Sequence, residues 1–126
     1  MRLLLDTQAL IWWFLDDPRL GPRARALIAD RSTVVLVSIA SFWEISIKHR
    51  IGKLDECGSI LLNEVQANGF DVLQIESGHL KGLESFEARP GHKDPFDLLI
   101  MVQAIASDAI MVTADRKIRS YGLRCL

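Results

Sequence analysis

The sequence predicts an α/β fold with a mostly parallel central sheet, and three observations predict it. Short apolar runs alternate with longer helical segments from one end of the chain to the other. The strand-like runs are apolar throughout, as strands covered on both faces are. No repeat, low-complexity tract or linker interrupts the alternation, and 126 residues is the length of one domain spanning 1–126. A chain of that size buries enough apolar surface to fold without disulfides or a structural metal.

The elements follow in order. Arg2 to Leu5 is a short buried strand and Gln8 to Leu15 a helix, broken by Asp16-Asp17-Pro18. Gly21-Pro22 opens a second helix that runs to about Ala29, with Pro22 suited to the first helical position. Thr33 to Val37, apolar and β-branched, is the second strand. Ser38 caps a helix from Ile39 to about Arg50, and Gly52 stops it. Ser59 to Asn68 is the next helix, ended by Gly69, and Phe70 to Ile75 the next strand. Ser77 is placed to cap a short helix to about Phe86, and Glu87 to Lys93 reads as a loop. Asp94 and Pro95 start a long apolar helix to about Ser107. Ala109 to Thr113 is a strand, Asp115 to Ser120 a turn with a short helix, and Leu123 to Leu126 a last strand.

Composition excludes several classes. The longest unbroken apolar stretch, Ala9 to Leu15, falls far short of the ~20 residues that span a bilayer. Asp6 cuts the Leu3 to Leu5 run too early for a signal segment. Cys57 and Cys125 have no zinc spacing and are expected as free thiols in a reducing cytoplasm, with no membrane attachment. The net charge of −1 gives no global attraction to nucleic acid, so an RNA substrate requires basic groups gathered locally. His49, His79 and His92 show no spacing for a triad or a zinc site and read as surface or structural residues. Ala9 to Leu15, with Trp12, Trp13 and Phe14, lacks a polar face; such a helix is either buried all round or covered by a partner.

Ligands of parallel sheets bind beyond the carboxyl ends of the strands. Asp6 directly follows the first strand, Asp115 follows the Ala109 to Thr113 strand, Asp97 lies in the first turn of its helix, and Glu44 lies on the helix after the second strand. Convergence of the four in one crevice requires a cation, and an all-oxygen set suits Mg²⁺ or Mn²⁺. Each acid also has an ordinary reading. Asp97 complements Asp94 at a helix start, Glu44 makes an i,i+4 pair with Lys48, and Asp115 is a turn or cap residue. Asp6, joined to an apolar strand and an apolar helix, is the hardest to explain as surface.

Four segments in order and spacing carry a resemblance over nearly the whole chain. They are Leu3-Leu4-Leu5-Asp6-Thr7; Ser41-Phe42-Trp43-Glu44-Ile45 with Lys48 and Gly52-Lys53-Leu54; His92-Lys93-Asp94-Pro95-Phe96-Asp97 with Ile100 and Gln103-Ala104; and Thr113-Ala114-Asp115. The chain resembles the PIN-domain ribonucleases, and within them the VapC toxins of bacterial toxin–antitoxin pairs. The resemblance implies a PIN-like three-layer α/β/α fold and Mg²⁺- or Mn²⁺-dependent hydrolysis of RNA. By position, Asp6, Glu44, Asp97 and Asp115 match the family's acidic metal-binding quartet, and Thr113 matches a hydroxyl residue beside it. It also implies a VapB-like antitoxin as partner and a homodimer, within a larger toxin–antitoxin assembly. Gln8 and Leu98 depart from the His and Arg common in related sequences.

Asp94 is read mainly as a cap, with a supporting role beside the quartet. Arg116, Lys93 and Lys48 are the candidate RNA contacts, because they adjoin the acids. Two competing readings stand beside the nuclease. One is a catalytically silent PIN-fold module that binds RNA or protein. The other is a phosphatase or phosphoacceptor domain, which usually needs a second Asp where this chain has Gln8.

Overall fold

Strand β1 (Arg2–Leu5) is a run of leucines after a single arginine, and Leu3, Leu4 and Leu5 are all fully buried. It lies inside a sheet with β2 (Val34–Ser38), β3 (Asp71–Leu73) and β4 (Ile110–Val112), in the order β3-β2-β1-β4. Every neighbouring pair is parallel, with Leu4 opposite Leu36 on one side and Met111 on the other. This is a computed structural model, and it describes residues 1–92 and 94–126.

Successive strand residues face opposite sides of a sheet, and the core divides accordingly. Leu3, Leu5, Val35 and Val37 pack with Leu10, Ile45 and Val65 from α1 (Thr7–Phe14), α3 (Ile39–Arg50) and α4 (Gly58–Ala67), and α2 (Pro22–Ala29) joins that layer through Ala24 and Ile28. Leu4, Leu36 and Met111 pack the other way, against Ile100, Met101 and Ile118 of α6 (Pro95–Ala106) and α7 (Arg116–Arg119). Helix α5 (Ser77–Ser85) lies against α6. The result is the expected three-layer α/β/α arrangement.

The caps are local. Ser38 Oγ accepts from the Ala40 amide at 3.1 Å, and Asp94 Oδ1 accepts from the Phe96 and Asp97 amides at 2.9 and 3.1 Å. Gly52, at φ 77°, ends α3 in the left-handed region that suits glycine.

Four local expectations change. Asp6 itself caps α1, so the helix starts at Thr7, one residue before Gln8. Glu76, not Ser77, caps α5, because the His79 ring turns back to accept from the Glu76 amide at 3.0 Å. Strand β3 is shorter than Phe70 to Ile75. The segment after Leu123 forms one isolated bridge, Met111 with Cys125, rather than a strand.

Helix α1 is neither fully buried nor open. Ala9, Leu10 and Ile11 are buried, whereas Trp12, Trp13 and Phe14 are half-buried. Trp13 packs on Phe70 with ring centroids 5.9 Å apart. The guanidinium groups of Arg19 and Arg25 lie 5.2 and 5.4 Å over Trp12 and Trp13. Much of the apolar surface that sequence left for a partner is covered by the chain's own arginines.

Helix α4 crosses α3 at Gly58, where there is no room for a side chain. A Cβ there would overlap Ser46 Oγ and stand 2.5 Å from the Phe42 carbonyl oxygen, which belongs to the helix backbone. Gly58→Ala is expected to lower stability by about 1–3 kcal/mol, as overpacking does. Chemical denaturation of the two proteins measures it; equal midpoints would mean that α4 shifts at no cost.

Candidate active site

All strands of a parallel sheet end at one edge, and the acids gather there. Asp6 is the first residue after β1. Its amide donates to the Val112 carbonyl at 3.1 Å, continuing the ladder with β4, while its Oδ1 accepts from the Ala9 amide at 2.7 Å. The carboxylate is thereby fixed at the strand end and is 6% exposed.

Glu44 arrives on the second turn of α3 and is also buried. Thr7 Oγ1 donates to its Oε1 at 2.7 Å, and Lys48 Nζ, one turn on, donates to its Oε2 at 2.7 Å. Asp97 stands in the first turn of α6, where Asp94 caps it and His92 Nε2 lies 3.2 Å from its Oδ2. The Asp115 amide donates to Thr113 Oγ1 at 3.0 Å, and its own Oδ1 caps α7 through the Lys117 amide at 2.8 Å.

Asp6, Glu44, Asp97 and Asp115 all line one cleft of about 400 Å³, with Asp94 and Lys48 on its wall. Its electrostatics are uneven. The Glu44 charge is matched by Lys48. Burial, with added repulsion from Asp97 and Asp115, pushes the Asp6 carboxyl up from 3.8 to about 6, although the Thr113 hydroxyl and the Ala9 amide oppose it. Burial also raises Asp97, against the hydrogen bond from His92 and with the help of the Asp94 and Asp115 charges. Three carboxylates thus repel one another here with too little positive charge to balance them.

The ordinary readings hold at the same time. Asp94 and Asp115 are caps, and Glu44 is an i,i+4 ion pair. Among the described residues no three His, Cys, Asp or Glu side chains stand close enough to chelate one ion together. The donor chemistry nevertheless fits a hard divalent cation. Asp97 Oδ1 and Asp115 Oδ2 make no protein hydrogen bond among the described residues. Mg²⁺ usually keeps several waters and needs only one or two direct carboxylates.

His92 departs from its surface or structural reading. It is 3% exposed, with Nδ1 2.9 Å from the Tyr121 hydroxyl and Nε2 on Asp97. Its role depends on a tyrosine from the far end of the chain, so spacing carried no signal for it. Thr7 was missed for the same reason. Of the candidate RNA contacts, Lys48 lines the cleft but is paired with Glu44, Arg116 is exposed on α7 away from the lining, and Lys93 lies outside the described residues.

A parallel three-layer sheet with an acid-lined cleft at its carboxyl edge defines a class of α/β domain that binds its ligands at that edge. The chain belongs to the PIN domain family, whose model matches residues 3–123. A search among curated protein sequences finds no match. Among solved structures, VapBC2 from Rickettsia felis, bound to a DNA fragment from the promoter, contains a similar chain. The TM-score is 0.69 at 16% identity, over 100% of this chain and 98% of that one. VapBC-1 from nontypeable Haemophilus influenzae gives 0.69 at 19%, over 100% and 97%. A domain of a functionally unknown protein from Methanocaldococcus jannaschii gives 0.58 at 15%, over 99% and 89%. At such identities the likeness is one of fold.

The raised Asp6 value makes a stability prediction. Below about pH 4 the carboxyl is protonated in both the folded and the unfolded chain. Between about 4 and 6 the unfolded chain releases its proton first, so stability falls; above about 6 the full penalty, on the order of 3 kcal/mol, is in place. In chelator, Asp6→Asn is therefore expected to be the more stable protein at pH 7 and to lose that advantage by pH 4. Urea unfolding across this range checks it; a wild type as stable as the variant at pH 7 contradicts it.

Proposed function

We propose that this PIN domain is a Mg²⁺- or Mn²⁺-dependent endoribonuclease acting as the toxin of a toxin–antitoxin pair. Asp6, Glu44, Asp97 and Asp115 would be its metal-binding and catalytic acids. The observation that carries the reading is the convergence of four acids, from both ends and the middle of the chain, on a cleft whose negative charge is incompletely balanced.

A divalent cation bound there supplies a polarised phosphoryl oxygen and a water of lowered pKa. The chain's own residues set its place. Asp6 is immobilised by the Ala9 amide, Asp97 is oriented by His92, and Thr113 links the Asp115 amide to the neighbourhood of Asp6. Near pH 6 the Asp6 carboxylate is half protonated, so a cation competes there with a proton. Lys48 holds Glu44 in the cleft until a stronger positive charge draws on the same carboxylate.

The partners in this reading are RNA, a VapB-like antitoxin and a second copy of the chain, in the cytoplasm. The family and the VapBC likeness support the antitoxin. Exposed Trp43, Ile47 and Ile51, one and two turns apart on α3, offer a protein-binding face. Among the described residues no helix is long and apolar enough to cross a membrane.

Asp97→Asn is expected to remove Mn²⁺-dependent RNA cleavage while the protein stays folded. His92→Ala, which removes only the group that orients Asp97, should cost roughly 10–100-fold. Mn²⁺ should also raise the melting temperature of the wild type and not of Asp97→Asn. A folded wild type that binds RNA, yet cuts none with Mn²⁺ present, would favour the silent-module reading. Full activity in excess chelator would sink the nuclease.

A further inference from the structure

A second cleft of about 440 Å³ adjoins the acidic one, with Trp12 and Ala114 lining both. Its chemistry is the reverse of its neighbour's. Arg19, Arg23 and Arg119 line it, and no acidic side chain does. Arg119 is anchored by its Nε, which donates to the Thr113 carbonyl at 3.1 Å, just beyond the strand that leads to Asp115. Arg19 is paired with Asp17 and lies over the Trp12 ring. Arg23 is exposed and makes no ion pair or side-chain hydrogen bond among the described residues.

Two further features favour an anion. Helix α2 begins on this cleft at Gly21-Pro22 with no side-chain cap, so the positive end of its dipole is uncompensated. The indole N–H of Trp12, in the shared wall, is buried without a hydrogen-bond partner. A buried donor left unpaired in a wall between two open clefts is a donor available to a ligand.

From this juxtaposition we infer that the arginine cleft is a phosphate subsite, which holds the RNA strand beside the phosphodiester that the acidic cleft cuts. It rests on the nuclease reading above. An acidic cleft repels the polyanion it must process, and Lys48, its lining cation, is already paired. A neighbouring phosphate held by guanidinium groups counters that repulsion and fixes the direction of the strand. Trp12 stands between the two, where an aromatic face suits a base or sugar.

The test uses a short fluorescent single-stranded RNA and anisotropy in an Asp97→Asn background that does not cleave. Arg23→Gln removes a charge that supports no contact within the fold. It is expected to weaken binding about tenfold and to lower the slope of log Kd against log salt by about 0.7. Arg23→Glu should weaken it further and Arg23→Lys should largely restore it. In the otherwise wild-type chain, Arg23→Gln should raise KM and leave kcat nearly unchanged. Unchanged RNA affinity and salt slope in folded Arg23→Gln and Arg23→Glu would overturn the subsite and leave the nuclease standing. The same result combined with lost binding of polyglutamate would assign the cleft to an acidic protein instead. Absence of both RNA binding and cleavage in the folded wild type would overturn the subsite and the nuclease together.

Discussion

The hydrogen bond from the Ala9 amide to Asp6 joins the end of β1, the start of α1 and the acidic cleft at one carboxylate. A helix start leaves amides without partners, and an acid at the cap position is the usual remedy. Here the capping acid also follows a strand with covered neighbours on both sides, so it cannot swing out into solvent. The backbone on either side of it is tied as well, through its own amide to Val112 and through its carbonyl to Leu10. Everything else at the carboxyl edge is arranged around a charge that the fold holds in place and burial makes costly.

The same economy recurs around the cleft. Asp94 and Asp115 cap helices, Glu44 pairs one turn along its own helix, and Asp97 sits where a helix dipole favours an acid. None of these local roles competes with a role in the cleft, because each uses one oxygen or one geometry and leaves the cleft-facing charge in place. Structural and chemical readings of an acid at a strand or helix terminus are therefore not alternatives. The terminus positions the group, and convergence with others gives it a second task.

Much of this was legible in the sequence. The leucine run of β1, the Ser38 and Asp94 caps and the apolar span of α6 mark elements whose signals are local, and they lie where those signals put them. So does the placing of the four acids at one edge, which follows from strand-end positions in a parallel sheet. What stayed hidden depends on pairs distant in the chain. His92 meets Tyr121, Thr7 meets Glu44, and the arginines of the second cleft come from residues 19, 23 and 119. The Glu76 cap was misread as Ser77 because a histidine ring took the part usually played by a glutamate or glutamine. The segment after Leu123 has strand-like composition but reaches the sheet for only one bridge.

The strand order carries a consequence for how such a chain comes into being. β1, the first element made, lies between β2 and β4, and β4 is nearly the last. Its outer edge stays unpaired until Ile110 to Val112 dock beside it. Asp97 and Asp115, from the last third of the chain, enter the cleft only with α6 and β4. Synthesis runs from the amino terminus and long-range parallel pairing is slow, so the acidic centre is completed among the final events of folding. A ribosome-bound or truncated chain lacking β4 holds at most half of the quartet, together with an open edge of leucines. The order of the strands thus acts as a safeguard: the groups that would make the protein harmful come together only when the whole chain has been made and folded.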